Sequence, residues 1–444
     1  MIWSRAARRG GVRGGTLGSE RPADRLVCGL ESVVRPFRMA GMDANTLFSQ
    51  ALGLGGQWKV IKSEMDVPQR QLRLELDFPA GTKFACPRCG QLCAVHDTVD
   101  KEWRHLDFWQ HRTDLRARVP RVTCAEHGVL QVEVPWARAG SGFTLMMEGM
   151  ILLLAQQMSV SAAARLLRTT DHRLWRVIDH YVTAAHRDKD WSKVRRILVD
   201  ETSARRGRRY VTNVIDAEST DLLMMAKDRG VDTLGEFAAA MTKHGGRPEQ
   251  ITEIVMDMSP AYIAGAAAYF PGARVVFDAF HIMKMAGQAL DKVRKDLARK
   301  GGDLRGGLWA LRGNAWTRNS EQQERRSQLM AAYPALGRAV ALREFLQDAL
   351  AGSDRSQLEA WLAWAQRSRL AAFRDLARTI KRHFNGILAY METRLTNGVM
   401  EAINGLLQLA KRIARGFRNF HYFRLAAYLK AGGLNLQAPR LLPT

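Results

Sequence analysis

Nowhere in the 444 residues does an apolar run reach the roughly 18 residues that a bilayer-spanning helix needs. The longest, from Met146 to Ala155, stops well short, so no membrane partner is expected. Cysteine is scarce too. Of the five present, four lie between Cys86 and Cys124, which is no secreted disulfide framework and suits metal binding in a reducing compartment. Acids are the third shortage: 44 Asp plus Glu stand against 67 Lys plus Arg, giving a formal net charge of +23 spread along the chain. Such a field favours a polyanion, most commonly DNA. The hydrophobic share, 46%, is that of a globular protein, and the length calls for about two to four domains.

Residues 1–41 carry eight Arg against three acids and read as a basic, disordered tail; a folded stretch begins at Met42. From Gln57 to Phe78 the alternation (WKVIKSE, QLRLELDF) is that of a hairpin of half-buried strands. CPRCG follows, and later CAEH, so Cys86 and Cys89 have the same spacing as Cys124 and His127. Two such knuckles close a tetrahedral zinc site, and these four residues are the expected ligands of a structural Zn²⁺. Cys93 and His96 lie close enough to replace one of them. The intervening WRHLDFWQHRTDLRARV reads as a strand-like ribbon, making 42–140 a β-rich zinc-finger domain.

In 141–190, the segment QQMSVSAAARLLRTTDHRLWRVIDHY reads as two helices joined by a short turn. Ser161 is expected to cap the first and Thr170 or Asp171 the second. Ala163, Leu166 and Leu167 would face Trp175 and Ile178. Arg165, Arg168, His172, Arg173 and Arg176 are then left for phosphates and base edges, as in a helix-turn-helix.

Alternation resumes at Arg195 with three short strands, followed by helix, strand (ITEIVMD), helix and strand (RVVFD). That order, over 191–285, is the order of an RNase H-like α/β core. In such a sheet the first and fourth strands are neighbours, which sets Asp200 beside Asp257. Two carboxylates that close repel unless a cation sits between them, and Mg²⁺ is the natural one. Asp278 ends the fifth strand and is the rival to Asp257; His281, three residues on, could face the same cleft. Glu201 points to the opposite face. Helical periodicity with many basic groups, and with Trp309, Trp316, Trp361 and Trp364, fills an insertion at 286–385. In 386–434, Asn397, Glu401, Asn404, Gln408, Lys411 and Arg415 recur as one polar stripe of a helix whose packed face is Val399, Ile403, Leu406, Ala410 and Ile413. Glu401 is the single acid of that stripe and the expected third carboxylate, with Lys411, Arg412, Arg415 and Arg418 available to hold a DNA strand. Residues 435–444 are a second tail.

The CPRCG knuckle, the helix pair, VDET, MDMS, FDAFHIMK and the block from TNGVMEAIN to KRIARGFRNF together make the chain similar to the ISL-three family of bacterial insertion-sequence transposases, from about Asp43 to Leu434. The resemblance implies a DDE transposase with Asp200, Asp257 and Glu401 as its acidic triad, and matches Asp278 and His281 to an associated motif. It further implies two Mg²⁺ ions (Mn²⁺ able to substitute), binding of terminal inverted repeats and target DNA, at least a dimer in the active complex, and a cytoplasmic, nucleoid-associated protein. Where many relatives carry Gly after the glutamate, this chain has Ala402. Two other readings are a DNA-binding regulator with an inactive core and a structure-selective nuclease.

Overall fold

The computed structural model describes residues 43–437 apart from 206–208, 228–229, 306 and 312–318. The expected tail at 1–41 lies outside those residues, as does the second tail from 438 onwards.

Asp43 starts helix α1 (Ala44–Ala51) by accepting the Thr46 N–H at 2.7 Å. The expected hairpin follows as β1 (Lys59–Asp66) and β2 (Gln71–Asp77), then the small ribbon β3 (Phe84–Ala85) and β4 (Leu92–Cys93). Two long strands, β5 (Val95–Arg104) and β6 (Arg112–Cys124), and the short β7 (Gly128–Gln131) complete this region. The sheet order is β1-β2-β6-β5 with β7 on the side of β6. Leu72, Leu74 and Leu76 all bury on one face, against Trp58, Trp103, Leu115 and Val119, as a period of two requires.

Three helices come next: α2 (Leu145–Gln157), α3 (Val160–Leu166) and α4 (Asp171–Arg187). The cap of α3 is Ser159, whose hydroxyl accepts the Ala162 N–H at 3.3 Å; Ser161 lies inside the helix and instead accepts from Arg165. Thr170 occupies the cap position of α4 without a side-chain bond. Ala163, Trp175 and Ile178 are buried as expected, but Leu166 is 61% exposed and Ala164 takes the inward place. Leu166 is the last residue of α3 and points away from the seam.

The second sheet contains β8 (Arg196–Arg205), β9 (Arg209–Asp216) and β10 (Leu222–Lys227), then, after α5 (Val231–Lys243), β11 (Glu253–Met256), α6 (Pro260–Tyr269) and β12 (Arg274–Phe277). Its order is β10-β9-β8-β11-β12; the first three strands are antiparallel, and β11 and β12 run parallel to β8. The first and fourth strands of the sheet are thus neighbours. Among the described residues seven helices follow: α7 (Ala279–Arg299), α8 (Gly307–Leu311), α9 (Ser320–Ala332), α10 (Pro334–Ala351), α11 (Arg355–Arg367), α12 (Ala371–Arg382) and α13 (Phe384–Thr393). Trp361 is buried among them, its indole donating to the Leu342 carbonyl at 2.7 Å, and Trp364 packs against Phe345. Trp316 and the Trp309 side chain lie outside the described residues.

The last helices, α14 (Gly398–Ile413) and α15 (Phe420–Ala431), return to the sheet. Successive β8 residues face opposite cores. Ile197 and Val199 join Phe237, Tyr262 and Trp361 on one side, whereas Leu198 joins Val255, Val276, Ile178, Leu407 and Phe423 on the other. Helices α2 to α4 therefore share a core with the sheet and with α14 and α15.

Candidate catalytic and DNA-binding site

Asp200 lies on β8, and Asp257 and Asp278 are the first residues after β11 and β12, the two strands next to it in the second sheet. Leu198 of β8 pairs with Val255 of β11, and Met256 pairs with Phe277 of β12. Carrying both registers forward sets Asp200, Asp257 and Asp278 in a single row. Alternation along β8 sends Asp200 to the face of Leu198, and the charges of Asp257 and of His281, which bonds Asp278, both reach it there. Adjacent strands are about 4.8 Å apart, so this row concentrates negative charge.

The electrostatics follow from that crowding. Burial, above all, pushes the Asp200 carboxyl up to about 6; Asp257 and Glu201 raise it further, while a backbone N–H and His281 oppose the shift. His281 moves the other way. Its hydrogen bond with Asp278, Nδ1···Oδ2 3.3 Å, raises its pKa against the effect of burial, and the charges of Asp200, Asp278 and Asp257 reinforce the rise. Asp278 is itself buried and caps α7, its other oxygen accepting the Phe280 N–H at 3.3 Å. Asp257 accepts the Ser259 N–H through Oδ1 at 2.9 Å. Glu201, on the opposite face as alternation requires, lies against the Tyr262 phenol.

Helix α14 covers Asp200 with its polar stripe. The Asn404 amide donates to Asp200 Oδ2 at 2.9 Å and accepts from Asn213 at 2.8 Å. Gln408 donates to Thr202 Oγ1 at 2.7 Å and to the Ser203 carbonyl at 2.8 Å, and Lys411 Nζ donates to the same carbonyl at 2.6 Å. Because Asn404, Gln408 and Lys411 bond β8, the buried seam is Met400, Ile403, Leu407 and Ala410; Leu406 and Ile413, expected inside, are 37% and 52% exposed. Glu401 sits exposed in the first turn, three residues before Asn404 on the same face, about 4.5 Å along the axis. Asn397, four residues earlier still, is buried with no partner for either atom of its amide among the described residues. Asn404 belonged to the expected stripe, yet its bond to Asp200 joins residues 204 apart, for which the sequence carries no signal.

The zinc ligands come together fully. Cys86, Cys89, Cys124 and His127 offer ligand atoms all within 4.8 Å of one another; among the described residues no other set of three or more His, Cys, Asp or Glu does so, Asp200, Asp257 and Glu401 included. Cys89 Sγ lies 3.6 Å from Cys124 Sγ, and His127 Nδ1 lies 3.5 and 3.9 Å from Cys124 and Cys86 Sγ. Zn–S and Zn–N bonds of about 2.3 and 2.0 Å give tetrahedral edges of about 3.8 and 3.5 Å, so the donors fit zinc without rearrangement. Cys93 turns instead to the Gln91 carbonyl, and His96 to Asp97.

The expected DNA-contacting cations divide. Arg165, Arg176, Arg412, Arg415 and Arg418 have exposed side chains. Three others are engaged within the protein: Lys411 on β8, Arg173 over the Phe143 ring at 4.3 Å, and Arg168, which pairs with Asp107 and donates to the Gln110 carbonyl at 3.1 Å.

Comparison with known proteins bears on each region. A family model described as a zinc-finger of transposase IS204/IS1001/IS1096/IS1165 matches residues 82–127, one described as the helix-turn-helix domain of transposase family ISL3 matches 132–182, and one described as Transposase matches 197–427. The chain is 31% identical over 376 residues to the transposase for insertion sequence element IS1557 of Mycobacterium tuberculosis, covering 75% of this chain and 82% of that one. To the transposase for insertion sequence element IS1001 of Bordetella parapertussis it is 27% identical over 372 residues, covering 81% and 91%. Zinc knuckle, helix-turn-helix and catalytic sheet thus occur here in one chain and each finds its counterpart, and the chain belongs to the ISL3 family of DDE transposases.

Proposed function

We propose that this transposase cuts at the ends of an insertion sequence and joins them to target DNA, using Asp200, Asp257 and Glu401 around divalent ions on an RNase H-like sheet. The observation that supports the reading is Asp200 on β8, next to the strand that Asp257 follows, with its carboxylate bonded by Asn404 of α14, the helix that carries Glu401. The donor set fits Mg²⁺: hard carboxylate oxygens, one of them held out of water, beside the orphaned amide of Asn397, which a hydrated ion or a phosphate would satisfy. Two Mg²⁺, or Mn²⁺ in their place, would supply the Lewis acidity that activates water for cleavage and the freed 3′-hydroxyl for joining.

The chain's own groups then have distinct parts. Asn404 holds the Asp200 carboxylate in one orientation. Asp278, committed to capping α7 and to His281, is a positioning residue, which favours Asp257 as the ligand. His281, whose protonated form the Asp278 bond and the neighbouring acids favour, would meet the scissile phosphate or a leaving oxygen. Exposed Arg165, Arg176, Arg412, Arg415 and Arg418 supply salt-sensitive phosphate affinity. In this reading, 42–140 and 141–190 bind DNA, 191–285 with 386–434 form the core, and 286–385 is an insertion. Pairing two element ends calls for at least a dimer. Among the described residues no helix is long and apolar enough to cross a membrane, and such a protein would work at the nucleoid.

Incubating the protein, Mg²⁺ and labelled duplexes from the DNA flanking the coding sequence with a plasmid tests this. Cleavage followed by joining is expected. Cutting without joining would indicate a nuclease, and binding without cutting a regulator.

Two further results are expected. Asn404→Ala, which frees Asp200 without removing a ligand, should lower strand transfer by about 10- to 100-fold with unchanged duplex affinity; an unchanged rate would remove Asn404 from the site. The second concerns pH. Asp200 folded lies near 6, above its ordinary 3.8, so between those values the folded protein keeps a proton that the unfolded chain releases. Its contribution to stability therefore falls as pH rises through 6, and metal must displace that proton. Mn²⁺ affinity, read by thermal shift, should climb up to about tenfold per pH unit towards about pH 6 and then level off. A flat profile across that window would contradict the placement of the ion on Asp200.

A further inference from the structure

The β5–β6 hairpin ends in Phe108-Trp109-Gln110-His111, where Phe108 and His111 exchange both backbone hydrogen bonds, at 3.0 and 2.8 Å. The two central residues have φ of +44° and +64°. This is the primed turn that favours Asn-Gly, and here it is made from Trp and Gln. Neither residue adopts that backbone readily. The turn nevertheless presents the Trp109 indole to solvent at 82% exposure, the highest of any large hydrophobic side chain among the described residues. Backbone strain and an exposed indole both oppose folding and solubility, so the protein keeps this tip for something outside itself.

The tip is rigidly held. Trp109 stacks on Phe108 with centroids 5.0 Å apart, and Phe108 packs edge-on against Phe48 of α1. Thr113 Oγ1 accepts the Phe108 N–H at 3.1 Å. Asp107, just before the turn, pairs with buried Arg104 and with Arg168 of the α3–α4 turn, and Arg168 also donates to the Gln110 carbonyl at 3.1 Å. The indole is therefore fixed in position relative to the helix-turn-helix. Its surroundings are basic on balance: the Arg112 N–H donates to the Arg70 carbonyl at 2.8 Å, both side chains are exposed, and although Arg112 pairs with Asp114 and both Arg104 and Arg168 pair with Asp107, Arg70 adds a further cation beside the turn.

We propose that this tip is a second DNA contact, in which Trp109 acts as an aromatic wedge. It would enter the groove next to the site occupied by α4 and stack against a base step of the element end, partly unstacking it. The basic surround favours a duplex over a second copy of this chain, and a flat rigid indole is the side chain suited to base stacking. The inference rests on the end-binding reading above.

The test uses the full-length protein, its Trp109→Ala and Trp109→Phe variants, tiled duplexes from the DNA flanking the coding sequence, and scrambled duplexes of equal length. Affinity, its salt dependence and permanganate reactivity of unstacked thymines are read together. Trp109→Ala should weaken the tightest flanking duplex by about 5- to 150-fold and abolish its permanganate-reactive site. The salt slope should stay, since no phosphate contact is lost, and Trp109→Phe should keep most of the affinity. Thermal unfolding should be unchanged, which separates the effect from misfolding. Equal affinity and an equal permanganate pattern would overturn the proposal. So would a change of oligomeric state in Trp109→Ala without DNA, which would make the indole a protein–protein contact. If wild-type protein holds flanking duplexes no tighter than scrambled ones, the end-binding reading fails, and the wedge is judged on scrambled duplex by the same comparison: loss supports it, no change overturns it.

Discussion

Asp257→Asn should reduce both cleavage and strand transfer by on the order of a thousand-fold or more while leaving duplex affinity near wild type. The reasoning starts from charge. Asp200 lies on β8 and Asp257 directly follows β11, its paired neighbour, and the charge of Asp257 raises the cost of ionising Asp200. Asparagine keeps the shape of the side chain and its contact with the Ser259 N–H but removes the negative charge that a hard cation needs. The arginines proposed to bind DNA lie elsewhere, so duplex affinity should survive. Asp278→Asn provides the contrast. It disturbs the α7 cap and the charge on His281 without removing a proposed ligand, so a smaller loss is expected, about 10- to 100-fold. If Asp278→Asn abolished activity and Asp257→Asn did not, the two aspartates would exchange roles. Single-turnover assays with pre-cut ends would separate joining from cleavage.

Removing zinc should have the largest effect on stability. Cys86→Ser or Cys124→Ser, or strong chelation, is expected to take zinc content from one ion per chain to near zero, with a loss of several kcal/mol; structural zinc in isolated fingers is worth about 10–16 kcal/mol at neutral pH. The damage should be local. Leu72, Leu74, Leu76, Leu115 and Val119 form an apolar core that needs no metal, so the β3–β4 knuckle and β7 should lose hydrogen-exchange protection while β2 and β6 keep theirs. Cys93→Ser should leave zinc content unchanged, since its thiol bonds to the Gln91 carbonyl. Zinc lost on Cys93→Ser, or retained on Cys124→Ser, would contradict the assignment.

Some of this was legible in the amino-acid order and some was not, for identifiable reasons. Alternation with period two marks each strand locally, and the sequence of strands and helices restricts the pairings, so Asp200 beside Asp257 could be anticipated. The zinc ligands could be anticipated because two short knuckles impose their own geometry. Side-chain partners were another matter. Arg168 meets Asp107 and Asn404 meets Asp200 across 61 and 204 residues, and no local pattern records such pairs. Periodicity alone sets the seam of α14 one step round the helix, because it does not record that Asn404 and Gln408 bond β8 and turn Leu406 and Ile413 outward. The cap of α3 was misplaced between two serines two residues apart, both chemically suitable. The turn at Trp109-Gln110 was read as continuous ribbon because it lacks Gly, Asn and Pro, the residues that usually announce one.

Of the three carboxylates, Glu401 is the one placed by helix geometry alone, and a metal-specificity switch at this position tests the account most directly. Glu401→Cys should be silent in Mg²⁺, which shuns thiolate, and should recover strand transfer when Mn²⁺, a softer ion, is supplied. Wild-type-like activity in Mg²⁺, or silence in both ions from a folded, DNA-binding protein, would contradict metal ligation by Glu401.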